Sequence, residues 1–264
     1  MFSTTSIVAF IASLSLLGLA DASPLVKRAT DRAPSYVTCK NPKQVAITFD
    51  DGVYEYEASV AQYLKGQNVT ATFFVNGNNW ACIYDANSVK MLQAIIANGH
   101  QLASHSWSHP DMTTLSDTQV RQQLDLVETA TKKIVGVVPK FFRFPYGAKN
   151  DHLLEIAKEY KYETVLWNFD TEDADGATVS YSEGVYDDVA ASYPNPAIVL
   201  NHSPYKTTTN TVIPYAIKKL KAKGYEFVDV ATCTGYQKSQ WYKSTTTPGT
   251  RDSTWTCSGT PSGK

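Results

Sequence analysis

From residue 45 onward the chain alternates between short apolar runs and segments with helical spacing. The runs are Val45–Phe49, Thr72–Val75, Gln101–Ser104, Phe141–Phe144, Glu163–Trp167, Ala197–Leu200 and Glu226–Val230. Each has the length of a strand, and most are rich in β-branched or aromatic residues. Between them, Leu92, Ile95 and Ile96 recur with helical spacing before Gly99. Ser116 with Gln119 forms a capping-box pattern and opens a segment with Val120, Leu124, Val127 and Ile134 along one face. Ile213, Ala216, Ile217 and Leu220 repeat that spacing before Gly224, a natural helix stop. Such alternation predicts a parallel sheet with helices outside. About seven repeats favour a single, closed or nearly closed (β/α) barrel over an open doubly wound sheet. The first strand-to-helix loop has no Gly-x-Gly-x-x-Gly, which argues against a dinucleotide site.

The ends of the chain read differently. Ile7 to Ala20 is apolar but short for a bilayer, and Ala20-Asp21-Ala22 offers a small-x-small cleavage site, although Met1 to Ser6 lacks Lys and Arg. Residues 1–22 are therefore expected to be a signal peptide, and 23–28 a propeptide ending at the dibasic Lys27-Arg28. The barrel would occupy 29–240, with an irregular extension over 241–264 rich in Ser, Thr, Gly and Pro. No later apolar run is long enough for a membrane span, and there is no lipid-anchor tail. Secretion, to the medium or the cell wall, makes disulfides the expected state of the four cysteines, which allow three connectivities. A Cys39–Cys233 bridge would tie the ends of the barrel and leave Cys82 to pair with Cys257. Metal ligation is the alternative, but no Cys-x-x-Cys spacing supports it. Asn68-Val69-Thr70 is a glycosylation sequon in a loop, whereas Asn201-His202-Ser203 ends a buried strand. A net charge of −1 leaves no footprint for nucleic acid or an acidic membrane. Uncharged polymers fit better, and the 16 Tyr and 5 Trp suit stacking on sugar rings as well as core packing. A monomer is expected.

In a barrel the C-terminal strand ends form the active face, so what each run ends in matters most. The first ends in Asp50-Asp51-Gly52, which alone reads as a turn. Adjacent strand residues point to opposite faces, so one carboxylate could bind a metal while the other serves as a base. The third ends in His105-Ser106-Trp107-Ser108-His109, two histidines at i and i+4 that one helical turn would put on one face. A carboxylate would complete a His-His-Asp set suited to zinc, and also to cobalt or nickel. The fourth ends in Arg143-Phe144-Pro145-Tyr146-Gly147, where Pro145 stiffens the loop and Arg143 can grip a carboxylate. The fifth leads into the acidic stretch Asp170 to Asp175, and the sixth into Leu200-Asn201-His202.

These five pieces, in this order, resemble carbohydrate esterase family 4, the NodB-like polysaccharide deacetylases, and within it the secreted fungal chitin deacetylases. The resemblance spans about Val45 to Val230. It implies a distorted (β/α) barrel, one divalent metal, and removal of N-acetyl groups from chitin or chitooligosaccharides with release of acetate. By that resemblance Asp51, His105 and His109 hold the metal, and Asp50 is the general base, oriented by Arg143. The Tyr146 N–H stabilises the oxyanion, and His202 is the general acid with Asp173 as its partner. Leu200, Trp167 and Asp170 are assigned to substrate, Asp170 also standing as a second partner for His202. The chain departs from the family at Ala174, where an aromatic usually walls the acetyl pocket; Trp107 or Trp167 are the candidate replacements. The same catalytic set would serve an O-acetyl esterase acting on acetylxylan. A non-catalytic wall-binding protein would need neither Asp50 nor His202.

Overall fold

The computed structural model describes residues 31–264 together with Met1 and Phe2. The expected signal peptide and propeptide otherwise lie outside the described residues. In chain order the elements are β1 (Ser35–Tyr36), β2 (Gln44–Gly52), α1 (Glu57–Gly66), β3 (Thr72–Val75), α2 (Ala86–Ala97) and β4 (Gln101–Ser104). There follow α3 (Asp117–Val135), β5 (Val137–Pro139), β6 (Phe141–Phe142), α4 (Asp151–Glu159), β7 (Glu163–Val165) and β8 (Phe169–Asp170). The chain closes with α5 (Val179–Ala191), β9 (Ala197–His202), α6 (Ile213–Lys223), β10 (Glu226–Phe227), α7 (Val230–Cys233) and β11 (Tyr242–Thr245).

The parallel sheet runs β1-β7-β6-β4-β3-β2-β9-β8, with β10 beside the start of β2. Helices cover its outside, as the alternation predicts. The barrel is curled but not closed: among the described residues β1 and β8 are edges that do not pair with each other. β2 is the axis of the fold, with all nine residues buried. Its side chains alternate strictly at first. Val45, Ile47 and Phe49 pack outward with Leu64, Ile95, Val127 and Ile217 from the helices. Ala46 faces the interior with Phe74, Ala103, Phe141, Val165 and Ile198, and Val230 and Ala231 of α7 join this inner cluster. Phe49 stacks on Phe73 of β3 at 4.8 Å between ring centres.

Several runs end sooner than their apolar pattern suggests, each for a visible reason. β7 stops at Val165 because the Val165 and Leu166 carbonyls accept hydrogen bonds from the Arg143 side chain. β10 stops at Phe227 because Asp229 caps α7, its carboxylate accepting from the Thr232 N–H at 2.9 Å. Ser116 and Gln119 form the capping box of α3, and Gly224 ends α6 in the left-handed conformation. The extension expected to be irregular from 241 instead begins with a strand: β11 pairs antiparallel with β5. Trp241 is buried against the barrel and donates to Asp229 at 2.8 Å. Cys39 is bonded to Cys233, and Cys82 to Cys257.

Truncating Phe73 would remove one partner of the stacked pair at the centre of the outer core. Phe73→Ala is expected to lower the unfolding free energy by about 3–5 kcal/mol, read as a shifted urea midpoint at unchanged slope.

Candidate active site

The C-terminal strand ends converge on one cleft. β2 brings Asp50 and Asp51, and the loop after β4 brings His105 and His109. Tyr146 and Trp167 follow β6 and β7. Asp170 lies at the end of β8, and β9 supplies Leu200 and His202. Ala174, Asp175, Tyr205 and Lys264 complete the lining.

Strict alternation predicts that Asp50 and Asp51 face opposite ways, yet both line the cleft. The pairing of β2 with β3 shifts between Phe49 and Gly52, and Asp51 has φ of 70°. That irregularity turns Asp51 back toward the mouth, the usual effect of a bulge at a strand end. The His105 and His109 side chains also meet, but not on a helical turn. Residues 105–110 form a loop in which Ser106 and His109 are left-handed, with φ of 68° and 55°. The His109 N–H donates to the Ser106 hydroxyl at 3.2 Å, which tightens the loop. Tyr146 is left-handed as well, at φ 58°, and its ring packs edge-on against His109 at 4.6 Å. Strained backbone of this kind clusters where function demands a fixed aim.

Asp51, His105 and His109 each offer one ligand atom, all within 4.8 Å of one another. The His105 Nδ1–H donates to the Arg143 carbonyl at 2.7 Å, so its Nε2 presents a lone pair to the group. Burial holds both imidazoles below their ordinary pKa, His105 well below, and therefore neutral. Asp51 Oδ1 is buried without a hydrogen-bond partner, 3.2 Å from His109 Nε2 and 3.8 Å from His105 Nε2. A buried, unpartnered carboxylate oxygen facing imidazole lone pairs is costly unless a cation joins them. These residues therefore fit a divalent ion.

Asp50 stands beside this trio with a different partner. Arg143, fully buried, donates from Nη1 to Asp50 Oδ1 at 2.8 Å and to the Thr48 hydroxyl at 2.9 Å. Its Nε and Nη2 reach the Val165 and Leu166 carbonyls. Burial raises the Asp50 pKa, and the Arg143 charge opposes that rise. Asp50 Oδ2 is 3.4 Å from His105 Nε2.

His202 lies in register with Asp50 across the β2–β9 ladder. Its Nδ1–H donates to Asp173 at 2.7 Å, and the Asp173 carboxylate also accepts from the His202 N–H and the Thr208 hydroxyl. Burial alone would lower the His202 pKa. The bond and charge of Asp173, with Asp50 and Asp51 behind it, outweigh burial and raise it to about 9. His100, by contrast, is a structural histidine: its ring lies within hydrogen-bond reach of the Ala61 carbonyl and the Ala71 N–H. Asn201 is fully buried and bonded to the Tyr186 hydroxyl, while Asn68 is exposed in the turn after α1.

Of the two candidate aromatics for the pocket wall, Trp167 lines the cleft. Trp107 is fully buried, its indole N–H held by Thr260 and Pro261. Sequence reasoning missed Tyr205, Asp175 and Lys264. Tyr205 follows His202 by three residues, an aromatic just past a strand end, which is a local signal. The place of Lys264 depends on a tertiary path with no local signature.

The family profile of the polysaccharide deacetylases matches residues 38–165. The chain is 34% identical over 240 residues to a chitin deacetylase of Colletotrichum lindemuthianum, covering 88% of this chain and 96% of that protein. It is 36% identical over 233 residues to a chitin deacetylase of Pestalotiopsis sp, covering 87% and 77%. The chain belongs to the polysaccharide deacetylases of carbohydrate esterase family 4. The solved structure of the chitin deacetylase from Colletotrichum lindemuthianum superposes with a TM-score of 0.77 at 33% identity, over 80% of this chain and 96% of that one.

Replacing a member of the Asp51, His105 and His109 trio should weaken metal binding directly. Loss of an outer partner already costs about 10–100-fold, so His105→Ala and Asp51→Ala should each lose more than about 100-fold in zinc affinity. Asp50→Asn should keep the ion, as read by titration against a competing chromophoric chelator.

Proposed function

We propose that this deacetylase hydrolyses the N-acetyl groups of chitin or chitooligosaccharides, releasing acetate and leaving a free amine on the sugar. One observation carries the reading. Asp50 and His202 sit on hydrogen-bonded neighbouring strands, each with its own charge partner, beside a trio suited to a cation. A binding protein has no use for that pair.

An amide is a weak electrophile with a poor leaving group, so it needs an activated water, a stabilised oxyanion and a protonated amine. The divalent ion, zinc by the chemistry of its donors and with cobalt or nickel also suited, would be held by Asp51, His105 and His109 and would make water acidic and polarise the acetyl carbonyl. Asp50 takes the proton from the attacking water, its raised pKa making it a stronger base than an ordinary aspartate. Arg143 fixes the carboxylate of Asp50 so that one oxygen faces the cleft. The Tyr146 N–H donates to the oxyanion as the water oxygen bonds to the carbonyl carbon. The C–N bond then breaks, and His202 gives its proton to the departing nitrogen. Asp173 keeps His202 cationic until that moment. Leu200 and Trp167 offer apolar surface for the acetyl methyl, in place of the aromatic missing at Ala174. Asp170 stands beside them as a polar contact for the sugar. The two disulfides suit a secreted protein, and the exposed Asn68 sequon suits glycosylation of a protein that acts as a monomer.

The direct test is acetate release from N-acetylglucosamine oligomers against acetylxylan, with and without a chelator. Release from the oligomers, lost on chelation and restored by zinc, is expected; release from acetylxylan alone would make the chain an O-acetyl esterase. Asp50→Asn should lower kcat by at least about 100-fold, the contribution of a positioned base, while the ion stays bound. The pH profile checks His202. A general acid must be protonated, so kcat/KM should fall as pH rises through its pKa of about 9. In Asp173→Asn burial acts unopposed by its partner, and this alkaline limb should move to lower pH by about one unit or more.

A further inference from the structure

The last residues of the chain reach the cleft by a path of their own. Cys257 is bonded to Cys82, and Trp255 packs against Tyr84 at 5.8 Å. The Trp107 indole N–H donates to the Thr260 hydroxyl at 2.9 Å and the Pro261 carbonyl at 3.0 Å. Trp107 lies between His105 and His109, so residues 260–261 are anchored on the same loop as the candidate metal ligands. The Asn78 side-chain amide donates to the Pro261 carbonyl, and the Gly263 N–H to the Asn78 carbonyl, both at 2.9 Å. Gly263 is wedged so closely that a Cβ there would sit 2.5 Å from Asn79 Oδ1 and 2.6 Å from the Ser108 carbonyl oxygen. Only glycine fits that approach.

This anchoring delivers Lys264 to the cleft. Its ammonium lies 3.5 Å from the ring centre of Trp80. Trp80 meets Tyr205 edge-on at 5.6 Å, and Tyr205 in turn meets His202 at 6.4 Å. Among the described residues lining the cleft, Lys264 is the one Lys or Arg. Asp170 and Asp175 line it too, outside both the Arg143 pair and the metal trio. Left alone, those two carboxylates would attract an ammonium.

We propose that residues 260–264 are a built wall of the cleft, and that Lys264 makes the enzyme discriminate against sugar units that already carry a free ammonium. The inference rests on the deacetylase reading. Each turnover converts a neutral acetamide into an amine that is cationic at mildly acidic pH, where the comparison below is made. A fixed cation on the rim of the same cleft repels an ammonium there, weakens retention of that product, and disfavours a chain with a deacetylated unit beside the reacting one. Neutral N-acetyl units are indifferent to it. Lys264 is thus a specificity-determining residue and takes no part in the bond-making steps.

The test compares, at mildly acidic pH, N-acetylglucosamine tetramer with a tetramer of equal length carrying one glucosamine next to the reacting unit. The ratio of their kcat/KM values is measured for the wild type, Lys264→Gln, Lys264→Arg and Gly263→Val. Charge pairs in solvent-exposed settings give modest factors, so the ratio should shrink by about two- to fivefold in Lys264→Gln. It should shrink likewise in Gly263→Val, where the wall cannot seat, and hold in Lys264→Arg. Calorimetry supplies a second reading that needs no turnover: fully deacetylated tetramer should bind Lys264→Gln more tightly than the wild type. Equal ratios and equal affinities in the wild type and Lys264→Gln would overturn the inference, as would equal losses in Lys264→Gln and Lys264→Arg. Absence of acetate release by the wild type would instead overturn the deacetylase reading, with calorimetry still deciding the role of Lys264.

Discussion

The structure depends on a guanidinium sealed inside a barrel. Arg143 is wholly buried, and its N–H groups are spent on Asp50, Thr48, Val165 and Leu166, while its own carbonyl accepts from His105. One residue thus ties β2, the loop after β4 and the end of β7 into a single frame. Its planar face lies over Phe74, with the ring centre 4.2 Å from the guanidinium carbon, which suits a cation that must leave water. A buried ion pair is weak evidence for stability, since desolvation offsets most of the attraction, but losing one partner typically costs about 3–5 kcal/mol. The pair is better understood as fixing which way Asp50 points. It also aims His105, because the Arg143 carbonyl selects the tautomer that leaves Nε2 free.

Three histidines in this cleft are driven to opposite ends of their titration by their neighbours. His105 and His109 are held neutral by burial, as ligands must be. His202 is nearly as enclosed, but Asp173 meets it with a carboxylate that is itself satisfied by a backbone N–H and a hydroxyl. Desolvation acts on all of them, and a partner that stays charged reverses the outcome for one. Placing an acid and neutral ligands within a few ångströms in this way is how one site can do both kinds of chemistry near neutral pH.

Much of this was legible in the chain. The apolar run Val45–Phe49 marked the central strand, and the residues ending each run marked the mouth. Ser116 with Gln119 and Gly224 marked helix ends through chemistry that is purely local. What stayed hidden was non-local or depended on irregular backbone. Asp51 joins Asp50 in the cleft because of a bulge, which periodicity cannot foresee. The histidine pair looked helical by spacing, but two left-handed residues bring it together instead. The pairing of β11 with β5 and the course of residues 255–264 are set by contacts with segments more than a hundred residues away. The partner of His202 could be named only by resemblance, since nothing local links Asp173 to it.

The register that sets Asp50 opposite His202 has a consequence for how such a protein can change. Neighbouring strands are held about 4.8 Å apart by their ladder, so the spacing of this pair follows from sheet geometry and not from loop closure. A domain motion that opened the rim would not pull the two apart. Loops that carry none of the site residues can therefore lengthen, shorten or be exchanged while the spacing of this pair is inherited intact. Insertions at the periphery can reshape the rim of the cleft without moving this pair.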